Sequence, residues 1–265
     1  MSEINNPTAL HTLNPLNRFS DRVADYVKYR PSYPVAAIDI ILEGLGTAPL
    51  VAADIGAGTG ISSRLLANRG VRVLAIEPNA AMRAGAEPDP LVEFRDGKAE
   101  ETQLKDASVD LVTCFQAFHW FDPEPTLLEF RRILKPTEAD GNTGRLALVW
   151  NNRDKKADFT NEYSQLIAAA SSNSPVEARV DSVKPLLVSP HFTNVREYNF
   201  ANRQELDLSG LIGRALSSSY IPREGVVVKQ LMSDLEKLYQ RFQDDRGLVY
   251  LSYSTSVHLA EPSVT

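Results

Sequence analysis

The sequence predicts an α/β fold built on a mostly parallel sheet of seven strands with helices on both faces. Three observations carry this expectation. Between residues 50 and 150, short and nearly continuous apolar runs alternate with helical patterns. Strands buried on both faces of a parallel sheet read this way. The first run breaks directly into Asp54-Ile55-Gly56-Ala57-Gly58-Thr59-Gly60, a glycine-rich stretch that opens a helix. After Trp150 the rhythm loosens, and helical sequence separates the last two strand-like runs. That spacing predicts a helical lid inserted near the C-terminal strands.

Phe19, Val23, Tyr26 and Val27 share one face of a helix over 18–29. Pro31 and Pro34 end it, because proline disfavours helix at the residue before it. A second helix over 35–43 stops at Gly44 and Gly46. The strands that follow are 50–55, 71–76, 91–95, 109–115 and 145–150. Helices over 61–68, 80–86 and 125–134 separate them, closed by Gly70, by Pro88 with Pro90, and by Pro136. Beyond 150 the expected elements are a helix over 159–170, a strand over 194–200, helices over 206–217 and 226–242, and a last strand over 248–259. Crossovers between parallel strands should be right-handed. The expected organisation is a loosely packed lead over 1–17 and one domain over 18–265. Within that domain, cover helices occupy 18–46, a ligand-binding core 47–150, and sheet completion with the lid 151–265.

The chain has 265 residues, a formal net charge of −6, 43% hydrophobic residues and 23% charged residues. This length buries a large core without covalent staples. The one cysteine, Cys114, excludes an intramolecular disulfide and suits a reducing cytoplasm. It reads as a small buried hydrophobe on the fourth strand. No apolar run approaches the roughly 20 residues that cross a bilayer, and residues 1–15 lack the charged start and apolar core of a signal peptide. A cytoplasmic protein without a membrane partner is expected. Nucleic-acid binders carry dense basic patches, and none is visible. His11, His119, His191 and His258 are scattered without ligand spacing, so no metal site is expected. A monomer or a homodimer fits equally well.

The glycine stretch carries the chemistry. Glycines allow a tight turn and close approach of a ligand to the main chain. The helix N-terminus that follows presents unpaired N–H groups. Dinucleotide sites use G-x-G-x-x-G for a pyrophosphate, but the spacing here is G-x-G-x-G with Asp54 ahead of it. A carboxylate there repels a pyrophosphate and attracts an amino-bearing or cationic ligand, directly or through water. S-adenosylmethionine (SAM) carries both an ammonium and a sulfonium. Glu77 closes the second strand in Ala75-Ile76-Glu77-Pro78-Asn79, where an acid about 20 residues beyond the loop accepts hydrogen bonds from ribose hydroxyls.

Residues 54–60 with Glu77 resemble motifs I and II of the class I SAM-dependent methyltransferases, a Rossmann-like family. Asp96-Gly97-Lys98-Ala99-Glu100 resembles the segment that flanks the adenine, and residues 109–117 resemble strand four with its substrate-facing loop. Phe130-Arg131-Arg132-Ile133-Leu134-Lys135-Pro136 resembles the family's approach to strand five, except that the turn before Gly141 is longer than usual. The likeness covers roughly residues 18 to 150. It implies a cofactor site of Asp54, Gly56, Ala57, Gly58, Gly60, Glu77, Pro78, Ala99, Glu100 and Gln116. A narrower resemblance, to the small-molecule branch with trans-aconitate-type and methyltransferase type 11 domain proteins, rests on residues 29–34, 116–121 and 149–154. It implies methyl transfer to a small organic acceptor through a carboxylate or hydroxyl oxygen.

Further candidates follow. Tyr26, Tyr29, Arg30 and Tyr33 precede the sheet. Such a segment covers bound SAM in related enzymes, with Arg30 and Tyr29 on the cofactor, Arg30 pairing with its carboxylate, and Tyr33 toward the substrate. A packed helix end with a surface cation explains them equally well. His119 is the candidate base or orienting group, and Trp120 the candidate pocket wall. Plain packing competes for both. Methylation of a carboxylate needs no strong base, because that nucleophile is already ionised near pH 7. Ser218 and Tyr220 in the lid are candidate substrate contacts. The competing functions are a non-catalytic SAM-binding protein and an NAD-dependent oxidoreductase, the second opposed by the glycine spacing and Asp54.

Overall fold

A computed structural model describes residues 23–46, 49–136, 143–172 and 182–263. The lead over 1–17, the start of the first helix and most of the long turn before Gly141 lie outside the described residues. The helices are α1 (Val23–Tyr29), α2 (Val35–Leu42), α3 (Ile61–Ala67), α4 (Ala80–Ala84), α5 (Pro123–Ile133), α6 (Asp158–Ala170), α7 (Lys184–Leu187), α8 (Leu208–Leu216) and α9 (Val226–Phe242). The strands are β1 (Val51–Ile55), β2 (Arg72–Ile76), β3 (Val92–Arg95), β4 (Leu111–Phe115), β5 (Arg145–Arg153), β6 (Phe192–Leu206) and β7 (Val249–Pro262).

They form one seven-stranded sheet in the order β3-β2-β1-β4-β5-β7-β6. β1 to β5 pair in parallel, and β7 runs antiparallel between β5 and β6. The expected Rossmann-like, mostly parallel sheet is present. Strand alternation supplies its two covered faces. Ala53 and Ile55 of β1, with Val112 and Cys114 of β4, pack against Leu127, Phe130 and Ile133 of α5. Ala52, Leu111 and Phe115 face the other way, onto Ile38 and Ile41 of α2 and Leu66 of α3. Each fully buried Val, Leu, Ile or Phe among them stabilises the fold by about 1.5–3 kcal/mol.

A separate cluster joins the C-terminal helices to the start of β7. Leu231, Leu235 and Leu238 of α9 meet Phe159, Tyr163 and Ile167 of α6, with Leu251 and Tyr253 beside them. Among the described residues no helix is long and apolar enough to cross a membrane.

β6 begins two residues before the expected strand over 194–200 and ends six residues after it. It is an edge strand paired on one side only, from Phe192↔Pro262 to Leu206↔Val249, with a register shift between Thr193 and Arg196. Its exposed face carries Glu197, Asn199, Arg203 and Glu205. Polar and charged residues are how edge strands avoid pairing with other chains.

Candidate active site

In β3-β2-β1-β4-β5 the strand order reverses between β1 and β4. Ligands of open α/β sheets bind beyond the carboxyl ends of the strands at such a point. A cleft of about 460 Å³, counting its open mouth, lies there. Gly56 and Ala57 line it after β1, Ile61 and Ser62 at the start of α3, and Phe115 and Gln116 at the end of β4. Asn151 of β5, Arg214 of α8, and Tyr26, Arg30, Pro31 and Tyr33 of the cover segment complete it.

The loop adopts the backbone that its glycines allow. Gly56, Gly58 and Gly60 all have positive φ, at 69°, 59° and 77°. A Cβ on Gly56 would lie 2.7 Å from Ala117 Cβ and 2.9 Å from Phe121 Cζ. Glu77 is buried and braces this loop. Its Oε2 accepts the Gly58 N–H at 2.9 Å and its Oε1 the Asn79 N–H at 2.9 Å. Burial pushes the Glu77 carboxyl up, while the Asn79 and Gly58 N–H groups and the Arg83 charge pull it down. Each carboxylate oxygen keeps a second lone pair, so Glu77 has acceptor capacity left for ribose hydroxyls.

Asp54, expected to attract the ligand directly or through water, lies behind the loop. It is fully buried, and Ser62 and Ser63 each donate a hydroxyl to its Oδ2 at 2.6 Å. Thr113 donates to Oδ1 at 2.8 Å. The physical reason is alternation: Asp54 shares the strand face of Ala52, toward α3. It therefore ties β1, α3 and β4 together behind the loop, and burial pushes its carboxyl up against the three hydroxyls.

Gln116 carries φ of 56° without being glycine, a backbone state that costs about 1–3 kcal/mol and clusters at functional sites. Its N–H donates to the Val149 carbonyl at 2.8 Å, and its Nε2 to the Asn151 carbonyl at 3.0 Å. The cover segment is fastened above by polar contacts to its main chain. Asn151 and Asn202 both donate to the Ser32 carbonyl, Gln204 donates to the Tyr29 carbonyl, and Arg30 Nη2 donates to the Ser217 carbonyl at 2.9 Å. Tyr26, Arg30 and Tyr33 thus line the cleft. Tyr29 instead packs on α8, where its ring would lie 2.2 Å from a Cβ on Gly213.

His119 and Trp120 do not line this cleft. They belong to a 3-10 turn, Phe118–Trp120, that buries Phe118 and Trp120. His119 Nδ1 accepts the Trp150 indole N–H at 3.3 Å. Ser218 is buried beside Arg214, at 3.4 Å from Nη1, and Tyr220 packs with the α6–α9 cluster, so neither lines the cleft. Ala99 is buried and Glu100 accepts the Asp122 N–H. The Ala99–Glu100 segment is set by Thr102, whose N–H and hydroxyl both donate to Glu129 of α5. Pro78 is half-buried between Glu77 and Asn79.

The expected lid divides in two. α8 reaches the cleft through Arg214, whereas α9 spends its apolar stripe on α6 and contributes no lining residue. Sequence reading missed Phe115, Ile61, Ser62, Asn151 and Arg214 as site residues. Arg214 had a signal, since it is a charged residue within the buried stripe Leu211–Ala215 of an amphipathic helix.

Comparison with known proteins decides between the competing functions. The methyltransferase domain family matches residues 53–138. An uncharacterized methyltransferase of Mycobacterium bovis is 36% identical over 205 residues, which is 76% of each chain. The chain belongs to the class I SAM-dependent methyltransferases. Solved structures agree on the fold. A protein assigned as a methyltransferase of an antibiotic biosynthesis pathway in Anabaena variabilis superposes with TM-score 0.61 at 22% identity, covering 87% of this chain and 98% of that one. A phosphoethanolamine N-methyltransferase of Haemonchus contortus in complex with SAM gives 0.54 at 14% identity, covering 97% of this chain and 60% of that one. This methyltransferase therefore places its glycine loop, Glu77 and Gln116 around the switch point of a family sheet. The NAD-dependent alternative falls away.

Proposed function

We propose that the cleft binds SAM and that the enzyme methylates a small organic acceptor through a carboxylate or hydroxyl oxygen. The observation that carries this is the loop itself: three left-handed glycines braced by Glu77 and opening onto the cleft. The donor set fits the cofactor. Glu77 would accept from the ribose hydroxyls, Arg30 would pair with the methionine carboxylate, and Ala99 with Glu100 would flank the adenine. When bound, SAM supplies an electrophilic methyl group on its sulfonium.

The protein's own residues do the rest by positioning. Gly56 and Ala57 let the main chain approach the ligand, and Gln116 with Asn151 fixes the floor between β4 and β5. Tyr26 and Tyr33 close the cleft and exclude water. Rate enhancement then rests on proximity and in-line alignment, and no general base is assigned. The test is release of S-adenosylhomocysteine from SAM across a panel of small carboxylic acids, alcohols, amines and thiols. Release that depends on a small oxygen acceptor supports the reading. Release only with amines, thiols or macromolecules contradicts it.

A further inference from the structure

Among the residues lining the cleft two are charged, Arg30 and Arg214, and none is acidic. Arg214 is the unusual one. It sits in the last turn of α8 with 7% of its surface exposed. Its Nε reaches the Tyr253 hydroxyl at 3.3 Å, and its Nη1 reaches the hydroxyls of Ser217 and Ser218 at 3.5 and 3.4 Å. These are long contacts to neutral groups. Among the described residues no carboxylate lies within 4.0 Å of it. The acids behind the glycine loop are committed elsewhere, Asp54 to three hydroxyls and Glu77 to two N–H groups.

A guanidinium does not shed its proton in a protein. Burial works against the charge of Arg214, yet the phenols of Tyr253, Tyr163 and Tyr220 hold its pKa above the ordinary arginine value. The Tyr163 hydroxyl in the same cluster is itself buried with no hydrogen-bond partner among the described residues. Buried charges are paired in folded proteins because an unpaired one is costly. A cation buried with no acid beside it among the described residues, on the wall of a ligand cleft, suits an anion that arrives with the ligand.

We propose that Arg214 anchors an anionic oxygen group, carboxylate or phosphate, of the methyl acceptor. The inference rests on reading the cleft as the methyl-transfer site. Arg30 and Arg214 divide the work: one anion is the methionine carboxylate of the cofactor, and the second belongs to the acceptor. The planar guanidinium matches either oxyanion with two parallel hydrogen bonds. The chain as a whole is acidic, so this is recognition of a small anion by one buried group and not attraction by a basic surface.

The test is calorimetric titration of the protein loaded with S-adenosylhomocysteine, using succinate, inorganic phosphate and neutral succinamide as probes. Succinate or phosphate should bind and succinamide should not, and which of the two binds identifies the oxyanion. R214Q should weaken that binding at least tenfold while leaving the S-adenosylhomocysteine Kd within twofold. R214M should keep or raise the Tm of the unliganded protein, because it removes an unpaired buried charge, and this separates lost binding from lost folding. Equal losses of anion and S-adenosylhomocysteine binding in R214Q would assign Arg214 to the cofactor carboxylate and overturn the proposal. Anion binding unchanged in R214Q, or absent in the wild type, would overturn it too. Failure of the wild type to bind S-adenosylhomocysteine at all would instead refute the proposed function.

Discussion

Replacing Gly56 by alanine separates two costs that the glycine loop avoids. Gly56 has φ of 69°, and its added Cβ would meet Ala117 Cβ at 2.7 Å and Phe121 Cζ at 2.9 Å. The left-handed backbone alone costs an L-residue about 1–2 kcal/mol. Overpacking adds about 1–3 kcal/mol, and Ala117 has no rotamer through which to yield. Gly70 provides the control. Its φ is 78°, yet a Cβ there meets nothing within 4 Å. Both substitutions stiffen the unfolded chain by about 0.4–1 kcal/mol, which cancels in the comparison. Gly56→Ala should therefore lose about 1–3 kcal/mol more than Gly70→Ala in urea unfolding at unchanged m-value, and should lose S-adenosylhomocysteine binding as well. Equal losses in the two variants would show that close packing at Gly56 does not shape the loop.

Thr113→Val removes the hydroxyl that reaches buried Asp54, so urea unfolding should show a loss of about 1.5–3 kcal/mol; a loss below 0.5 kcal/mol would mean that Ser62 and Ser63 suffice. Burial holds the His258 imidazole below its usual value of 6.5. The unfolded chain thus binds the proton first, and the stability from neutral His258 is complete above pH 6.5 and is lost as pH falls toward the depressed folded value. His258→Asn should flatten that part of the stability profile relative to wild type, and parallel profiles would remove His258 as a contributor. Hydrogen exchange should slow across Leu208–Leu216 when S-adenosylhomocysteine binds and stay unchanged across Val226–Phe242; equal slowing would mean that the two helices move as one lid.

How far the chain's own residues announce the molecule differs by feature. The apolar runs at β1, β2 and β4 and the glycine spacing announce the sheet and its loop, because buried parallel strands and left-handed turns each demand particular residues. β6 does not announce its full length, since past Phe200 the edge strand carries the polar run Asn202, Arg203, Gln204 and Glu205, which has no apolar alternation. The inward turn of Asp54 follows from strand alternation with Ala52, a signal that was present but outweighed by the attraction between an acid and a cationic ligand. The fastening of the cover segment was out of reach. It depends on the Ser32 carbonyl meeting Asn151 and Asn202, and backbone acceptors far apart in the chain leave no pattern. The same holds for the strained Gln116.

Binding of S-adenosylhomocysteine by wild type and Glu77→Ala, measured by titration calorimetry, tests the cofactor site most directly. Glu77 has both oxygens directed at the loop and its neighbour, with lone pairs to spare for the ribose. A hydrogen bond to a charged group is worth about 1.5–3 kcal/mol, so one-to-one binding should weaken about 10- to 150-fold in the variant. Unchanged affinity in a folded Glu77→Ala protein, or no binding by the wild type, would contradict the assignment of this cleft as the SAM site.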